Sequence, residues 1–337
     1  MKLLPLLLLL ISNTLFAQNL DSEAYDLVGD RPNATGDATL VGVNFYLIDI
    51  DSIDDVNQRF SIDMFVRIHW QDPRLALPED RKKGSNRTIP LNEIWSPRGL
   101  IVNDRGLTPQ LPLVADVDDD GGVQYRQRFS GELAVNMDLR EFPFDTQRLP
   151  ITIISYQYTP DELRFSSPTA IGLEGRRLSA DGWAYTMLEP EVSEFRVAAA
   201  GAIRPQLTFV IEARRNSSYY LVTTLLPMTL ILFMAWTAFW LQPDIIPTRI
   251  GISTASIFSM IAFGFSIRLS LPAVSYMTRT DIFVIGSMLM VFSALGVAVL
   301  GSRWAHSDRM PQAQRLNAIA RWAYIGLFIV VAVTATI

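Results

Sequence analysis

Apolar residues recur with two different periods along this chain, and the change falls at Arg215. Before it, VGVNFYLIDI (41–50), RFSIDMFVRIHW (59–70), VQYRQRFSGELAV (123–135), RLPITIISYQY (148–158), EVSEFRV (191–197) and PQLTFVIEARR (205–215) are rich in β-branched and aromatic residues. Many of these runs alternate apolar with polar, Gly, Pro, Asn or Asp clusters separate them, and no helical period interrupts them. The stretch therefore predicts a β-sandwich of immunoglobulin-like topology. Alternation puts Met64, Val66 and Ile68 on one face of the second run and Phe65, Arg67 and His69 on the other. One face belongs to a core and the other is available.

After Arg215 the apolar runs become long enough to cross a bilayer, with spans expected at about 218–241, 249–269, 282–301 and 315–337, the first interrupted by Pro227. The second span is the most informative. Between Arg249 and Arg268 lie 18 residues without a charge, and Gly251, Ala255, Phe258, Ala262, Phe265 and Leu269 recur at steps of four and three, which places them on one helical face. Such a stripe of small residues with two phenylalanines fits a pore lining closed by greasy rings. It fits equally a bundle-core helix that uses small residues for close packing.

The chain starts with Lys2, an apolar run and the small Ala17, the pattern of a cleaved secretory signal over 1–17. An exported β domain over 18–216 and a transmembrane domain over 217–337 follow. Arg249, and Arg303, Arg309 and Arg315 in the 302–317 connection, put those two turns on the cytoplasmic side, so both ends of the mature chain lie outside. With no cysteine, the exported part has no disulfide and is held by its core. A net charge of −5 offers no basic patch for nucleic acid. Two histidines, His69 and His306, on opposite sides of the membrane, and no G-x-S-x-G, P-loop or H-E-x-x-H pattern, speak against an enzyme. No cofactor is expected.

Several motifs in order carry a resemblance: Trp70-Gln71-Asp72-Pro73-Arg74-Leu75, Ile94-Trp95-Ser96-Pro97, Phe142-Pro143-Phe144-Asp145, Glu212-Ala213-Arg214 before Tyr219-Tyr220 and Pro227, and LPAVSY after the stripe. From about residue 40 to the end the chain resembles the pentameric ligand-gated ion channels, the Cys-loop receptor superfamily, in its bacterial cysteine-free form. Where the family's animal members have the two cysteines of the signature loop, this chain has Val135 and Leu149. The resemblance implies a homopentamer in a bacterial inner membrane, with the N-terminal domain in the periplasm and the stripe lining a pore that dilates on ligand binding. Membrane lipids, permeant inorganic ions and a small-molecule agonist are then its partners.

It also implies site residues. Pro247-Thr248-Arg249 lacks the acid that cation-conducting relatives carry there, and together with Arg268 it is similar to glycine and GABA receptors, which favours anions. Cation selectivity, with proton or amine gating, is the alternative, and a non-conducting tethered binding protein is a third reading. On one side of the agonist site the implied residues are Tyr156, Tyr158 and Leu100. On the other they are Phe65, Arg67 and Arg126, whose two arginines suit a carboxylate. The 196–205 hairpin has no aromatic residue, which disfavours a quaternary-ammonium cage. Coupling to the membrane falls on Asp55, Phe142, Pro143, Asp145, Arg214 and Pro272. The run from Asp116 through Asp118 and Asp120 imitates the start of a calcium loop, but its twelfth position is Gln127 and no helices flank it, so an acidic hairpin tip is the favoured reading.

Overall fold

The computed structural model describes residues 27–34, 36–172, 177–197, 201–270 and 274–336. The 1–17 segment, Pro272 and the tip of the 196–205 hairpin lie outside the described residues.

Twelve strands follow in chain order: β1 (Thr39–Asp54), β2 (Arg59–Gln71), β3 (Arg87–Pro90), β4 (Gly99–Ile101), β5 (Thr108–Pro109), β6 (Val114–Val117), β7 (Gly122–Ala134), β8 (Thr146–Ser155), β9 (Leu163–Ile171), β10 (Trp183–Met187), β11 (Glu191–Val197) and β12 (Ala202–Arg215). One sheet runs β3-β6-β7-β2-β1-β9 with β5 on β7, and the other runs β10-β12-β8-β4 with β11 on β12. All pairings are antiparallel except β1 with β9.

Alternate residues of the long strands β1, β2, β7, β8 and β12 fill the space between the sheets, as period-two patterning requires. Val41, Val43, Phe45 and Leu47 of β1 and Phe60, Ile62 and Met64 of β2 are buried with Leu207, Phe209 and Ile211 of β12. Phe45 stacks on Phe209 at 5.0 Å between ring centroids. Val135 and Leu149 are buried in the same core, with Met137, Leu139 and Phe142 between them. Asn103 fastens the two ends of this loop, its Nδ2 donating to the carbonyls of Ala134 (2.9 Å) and Pro150 (2.8 Å). Packing and the side-chain amides of Asn103, Gln58 and Gln147 hold this loop without a disulfide.

Among the described residues four helices are long and apolar enough to cross a membrane: α1 (Ser218–Thr237), α2 (Ile246–Ser270), α3 (Arg279–His306) and α4 (Met310–Thr336). Pro227 has no N–H for the turn before it, and residues Leu221–Leu225 widen into a π-helical turn there. A capping box, with Thr278 accepting from the Asp281 N–H and Asp281 accepting from the Thr278 N–H, starts α3 ahead of the expected span. α2 packs on α1 and α3, and α4 packs along α3. The helix core is formed by residues such as Met228, Leu232, Met260, Met290, Val291 and Tyr324.

Candidate functional site

Phe65 and Arg67 project from the outer face of β2, where register sets Arg67 opposite Arg126 and Phe65 opposite Arg128 on β7. Arg126 is paired with Asp116, and Arg128 with Asp63. Among the described residues Arg67 has no such partner, and its Nε is buried without a hydrogen bond. Of the two arginines expected to meet a ligand, Arg126 is thus already neutralised by its neighbour. An open cleft of about 520 Å³ runs beside Arg67, His69, Asp116, Gln124 and Ser166. His69 lies flat across Gly42 of β1, where any Cβ would overlap the imidazole. Burial, and then the charge of Arg67, push the His69 pKa below its ordinary value.

On the other sheet Tyr156 and Leu100 are exposed, close to edge strand β4. Tyr158 is not with them. It is buried, its hydroxyl accepts from Trp95 Nε1 at 2.7 Å, and its ring packs on Trp95, which in turn packs on Trp70. The chain leaves β8 at Ser155, so the two tyrosines do not share a face as strand alternation would have them. Tyr158 is a core residue.

The acidic run is likewise occupied. Asp118 accepts from the backbone N–H of Asp120 and Gly122, Asp119 accepts from those of Lys83 and Gly84, and Asp120 pairs with Lys82. With Asp116 held by Arg126 and Thr88, the carboxylates of this hairpin tip are taken up by partners within the chain.

At the membrane end of the sandwich, Arg215 is the centre of a buried junction. Its Nε and Nη2 donate to Asp145 at 2.7 and 3.1 Å, and Nη1 and Nη2 reach Asp55 at 2.9 and 3.0 Å. Trp183, Phe142 and Tyr220 surround the guanidinium, with ring centroids 4.1, 4.8 and 5.8 Å from it. Burial opposes its charge, but the hydrogen bonds it donates to Asp145 and then Asp55 outweigh that and hold its pKa above the ordinary arginine value. Gln147 braces Asp145 with a 2.6 Å hydrogen bond. The expected arginine at this place was Arg214, and the structure corrects it. Ala213 and Arg215 share the inward face of β12, and Arg214 is exposed.

The loop carrying Phe142 and Asp145 then meets the helices. Thr280 Oγ1 donates to the Phe142 carbonyl, the Leu139 N–H donates to the Tyr276 hydroxyl, and Arg279 pairs with Glu141 while donating to the Thr336 carbonyl at the end of α4. Phe142–Pro143 is a cis peptide.

Along α2, Gly251, Ala255, Phe258, Ala262 and Phe265 are exposed, the two phenylalanines at 68% each. Ser253, Ser256, Ile257, Met260 and Ile267 turn into the bundle. Pro247 and Thr248 are exposed as well. Arg249, expected to ring the inner mouth, is instead 0% exposed and points into the bundle, its Nη2 donating to Asn317 Oδ1 at 2.6 Å and its Nε to the Ala238 carbonyl at 3.2 Å. It belongs to the row of Ser253, Ser256 and Met260, not to the exposed one. The backbone of Arg268 and Leu269 continues the helix.

A family model described as neurotransmitter-gated ion-channel ligand binding domain matches residues 14–182, and one for the neurotransmitter-gated ion-channel transmembrane region matches 224–328. The chain belongs to the neurotransmitter-gated ion-channel family. Among similar proteins are a gamma-aminobutyric acid receptor subunit beta-like of Drosophila melanogaster, 28% identical over 79% of this chain and 56% of its own length, and a subunit beta of Caenorhabditis elegans, 29% identical over 84% and 53%. A subunit beta-4 of Gallus gallus is 27% identical over 79% and 55%. The chain spans about half the length of these relatives.

In this neurotransmitter-gated channel chain, sequence reasoning missed Arg215, Asn317 and the coupling contacts of Arg279. The junction makes a sharp distinction between adjacent arginines. Replacing Arg215 or Asp145 by alanine leaves a buried charge without its partner and costs about 3–5 kcal/mol. Thermal unfolding of the detergent-solubilised protein should show a lowered Tm and poor assembly for both, and wild-type behaviour for Arg214→Ala. The reverse order for Arg214 and Arg215 contradicts this placement.

Proposed function

We propose that five copies of this chain surround a central axis, with the exposed row of α2 facing it, and that a small carboxylate-bearing agonist held between neighbouring β-sandwiches opens the pore to anions. The β domain then lies outside, in the periplasm of a bacterium whose inner membrane holds the four helices. The observation that carries the reading is the α2 row itself. A lipid-facing helix would expose long aliphatic side chains, as α4 does with Ile319, Leu327, Ile329, Val330 and Val333. The exposed face of α2 combines glycine and alanine with two phenylalanines and carries no charge from Gly251 to Phe265. Rings of those phenylalanines would expel water when close and admit it when parted.

The agonist class follows from the outer face of β2. Arg67 has no ion-pair partner among the described residues, and a carboxylate would satisfy the unbonded Nε. Tyr156 and Leu100 of an adjacent copy would complete the pocket. The matched relatives are named for gamma-aminobutyric acid, an amino carboxylate. The inner turn supports anions through the exposed Pro247 and Thr248, with no acid between Pro247 and the pore row. One observation favours the cation alternative: Asp244 is exposed in the turn before α2, and Arg249 is not.

Three measurements test this. In an asymmetric KCl gradient, currents evoked by amino carboxylates should reverse near the chloride potential, and reversal near the potassium potential assigns the channel to cations. Arg67→Ala should raise the half-maximal agonist concentration by about tenfold or more, the scale of a charge-assisted hydrogen bond, and an unchanged response overturns the carboxylate assignment. Partial burial and then the charge of Arg67 lower the His69 pKa, so an anion bound beside both raises it again. Apparent agonist affinity should therefore rise as pH falls below about 6.5, the ordinary histidine value, and His69→Ala should abolish that rise.

A further inference from the structure

The last residues around the end of α1 present carbonyls that no helical N–H can satisfy. Side chains from two other helices take them. Arg249 Nε donates to Ala238, Arg321 Nε to Phe239 at 2.9 Å, and Asn317 Nδ2 to Leu241 at 3.2 Å. Asn317 and Arg321 are one turn apart on α4, and Arg321 also lies over the Trp240 ring, its guanidinium carbon 4.5 Å from the centroid. α4 thus grips the point where α1 turns into α2.

Within this clamp Arg249 is unusual. It is wholly buried, none of the ion pairs among the described residues includes it, and its Nη1 has no hydrogen-bond partner. Asn317 offers a neutral oxygen at 2.6 Å where an acid of the same shape would fit. On the far wall, a Cβ on Gly301 of α3 would come 3.4 Å from Nη1. The carbonyls at the end of α1 partly offset the charge but do not cancel it. A charge left without a counter-ion in a low-dielectric bundle acts over longer distances than one in water. Its own helix, about 10 Å across, is what separates it from the face that carries Gly251.

We propose that Asn317, on a helix that does not line the pore, sets the electrical potential of the inner pore mouth by giving Arg249 a neutral partner, so that its charge is left uncancelled while the Ala238 carbonyl still ties it to the end of α1. The proposal rests on the reading of α2 as pore-lining but not on the sign of the permeant ion. Five such charges around an axis favour anions at the mouth and oppose cations. Asn317 is a positioning residue: it touches no permeating ion and acts through Arg249.

The test is single-channel conductance of the full-length chain in planar bilayers, in a background of Phe258→Ala and Phe265→Ala that removes both greasy rings and so opens the pore without agonist. Asn317→Asp keeps the shape and the hydrogen bond to Arg249 but supplies the missing negative charge. It should lower chloride conductance by about twofold or more, or raise cation conductance if the background reverses near the potassium potential. Asn317→Leu breaks the clamp without adding charge and should change conductance much less. Equal effects of Asp and Leu, or no effect of Asp, overturn the proposal whichever ion permeates. Should Asn317→Asp not reach the membrane, Arg249→Gln removes the same charge and must move conductance in the same direction. Reversal near the potassium potential overturns the anion reading alone, and absence of any current overturns the pore reading and this proposal with it.

Discussion

A buried guanidinium lies at the centre of the joint between the two halves of the molecule. Arg215 ends β12, immediately before α1 begins at Ser218, and it binds Asp55 from the β1–β2 turn and Asp145 from the loop that seats on Thr280. Three separate pieces of chain are therefore fixed to one charge at the membrane surface. Removing Arg215 leaves two carboxylates without their counter-charge, whereas removing either acid leaves the guanidinium with the other. A displacement of the sandwich has few ways to pass this point except by moving the start of α1 and the residues that follow α2.

α2 is held by a similar device at its N-terminal end. There the anchoring charge has no acid, and the helix is tied to carbonyls and to one amide of α4. α4 is also caught at its far end, where Arg279 bonds the Thr336 carbonyl. The outermost helix is in this way connected to both ends of the bundle, although most of its length contacts α3.

Strand alternation made the sandwich legible in the sequence, and the four spans were readable from length and composition. The errors fell where one more step of the same periodicity would have decided. Leu207, Phe209, Ile211 and Ala213 alternate inward along β12, so the next inward residue is Arg215 and not Arg214. Counting back by four and three from Met260 through Ser256 and Ser253 reaches Arg249, which puts it on the buried face and off the row of Gly251 and Ala255. Tyr158 was beyond such reasoning, because parity is lost once the chain turns out of β8. Pairings such as Arg126 with Asp116 depend on which strands become neighbours, and a single strand carries no record of that. Asn317 gave no local signal at all, since its partners are 68 and 76 residues away in the chain.

What the account requires is that the exposed row of α2 meets water when the channel opens and that the buried row does not. The chain contains no cysteine, so single cysteines can be placed without a background. With a charged, membrane-impermeant thiol reagent applied during agonist exposure, Ala255→Cys and Ala262→Cys should be modified and their current blocked, and Ser256→Cys should be unaffected. Reaction at Ser256→Cys with none at the two alanine positions would mean that the row of phenylalanines faces something other than a pore.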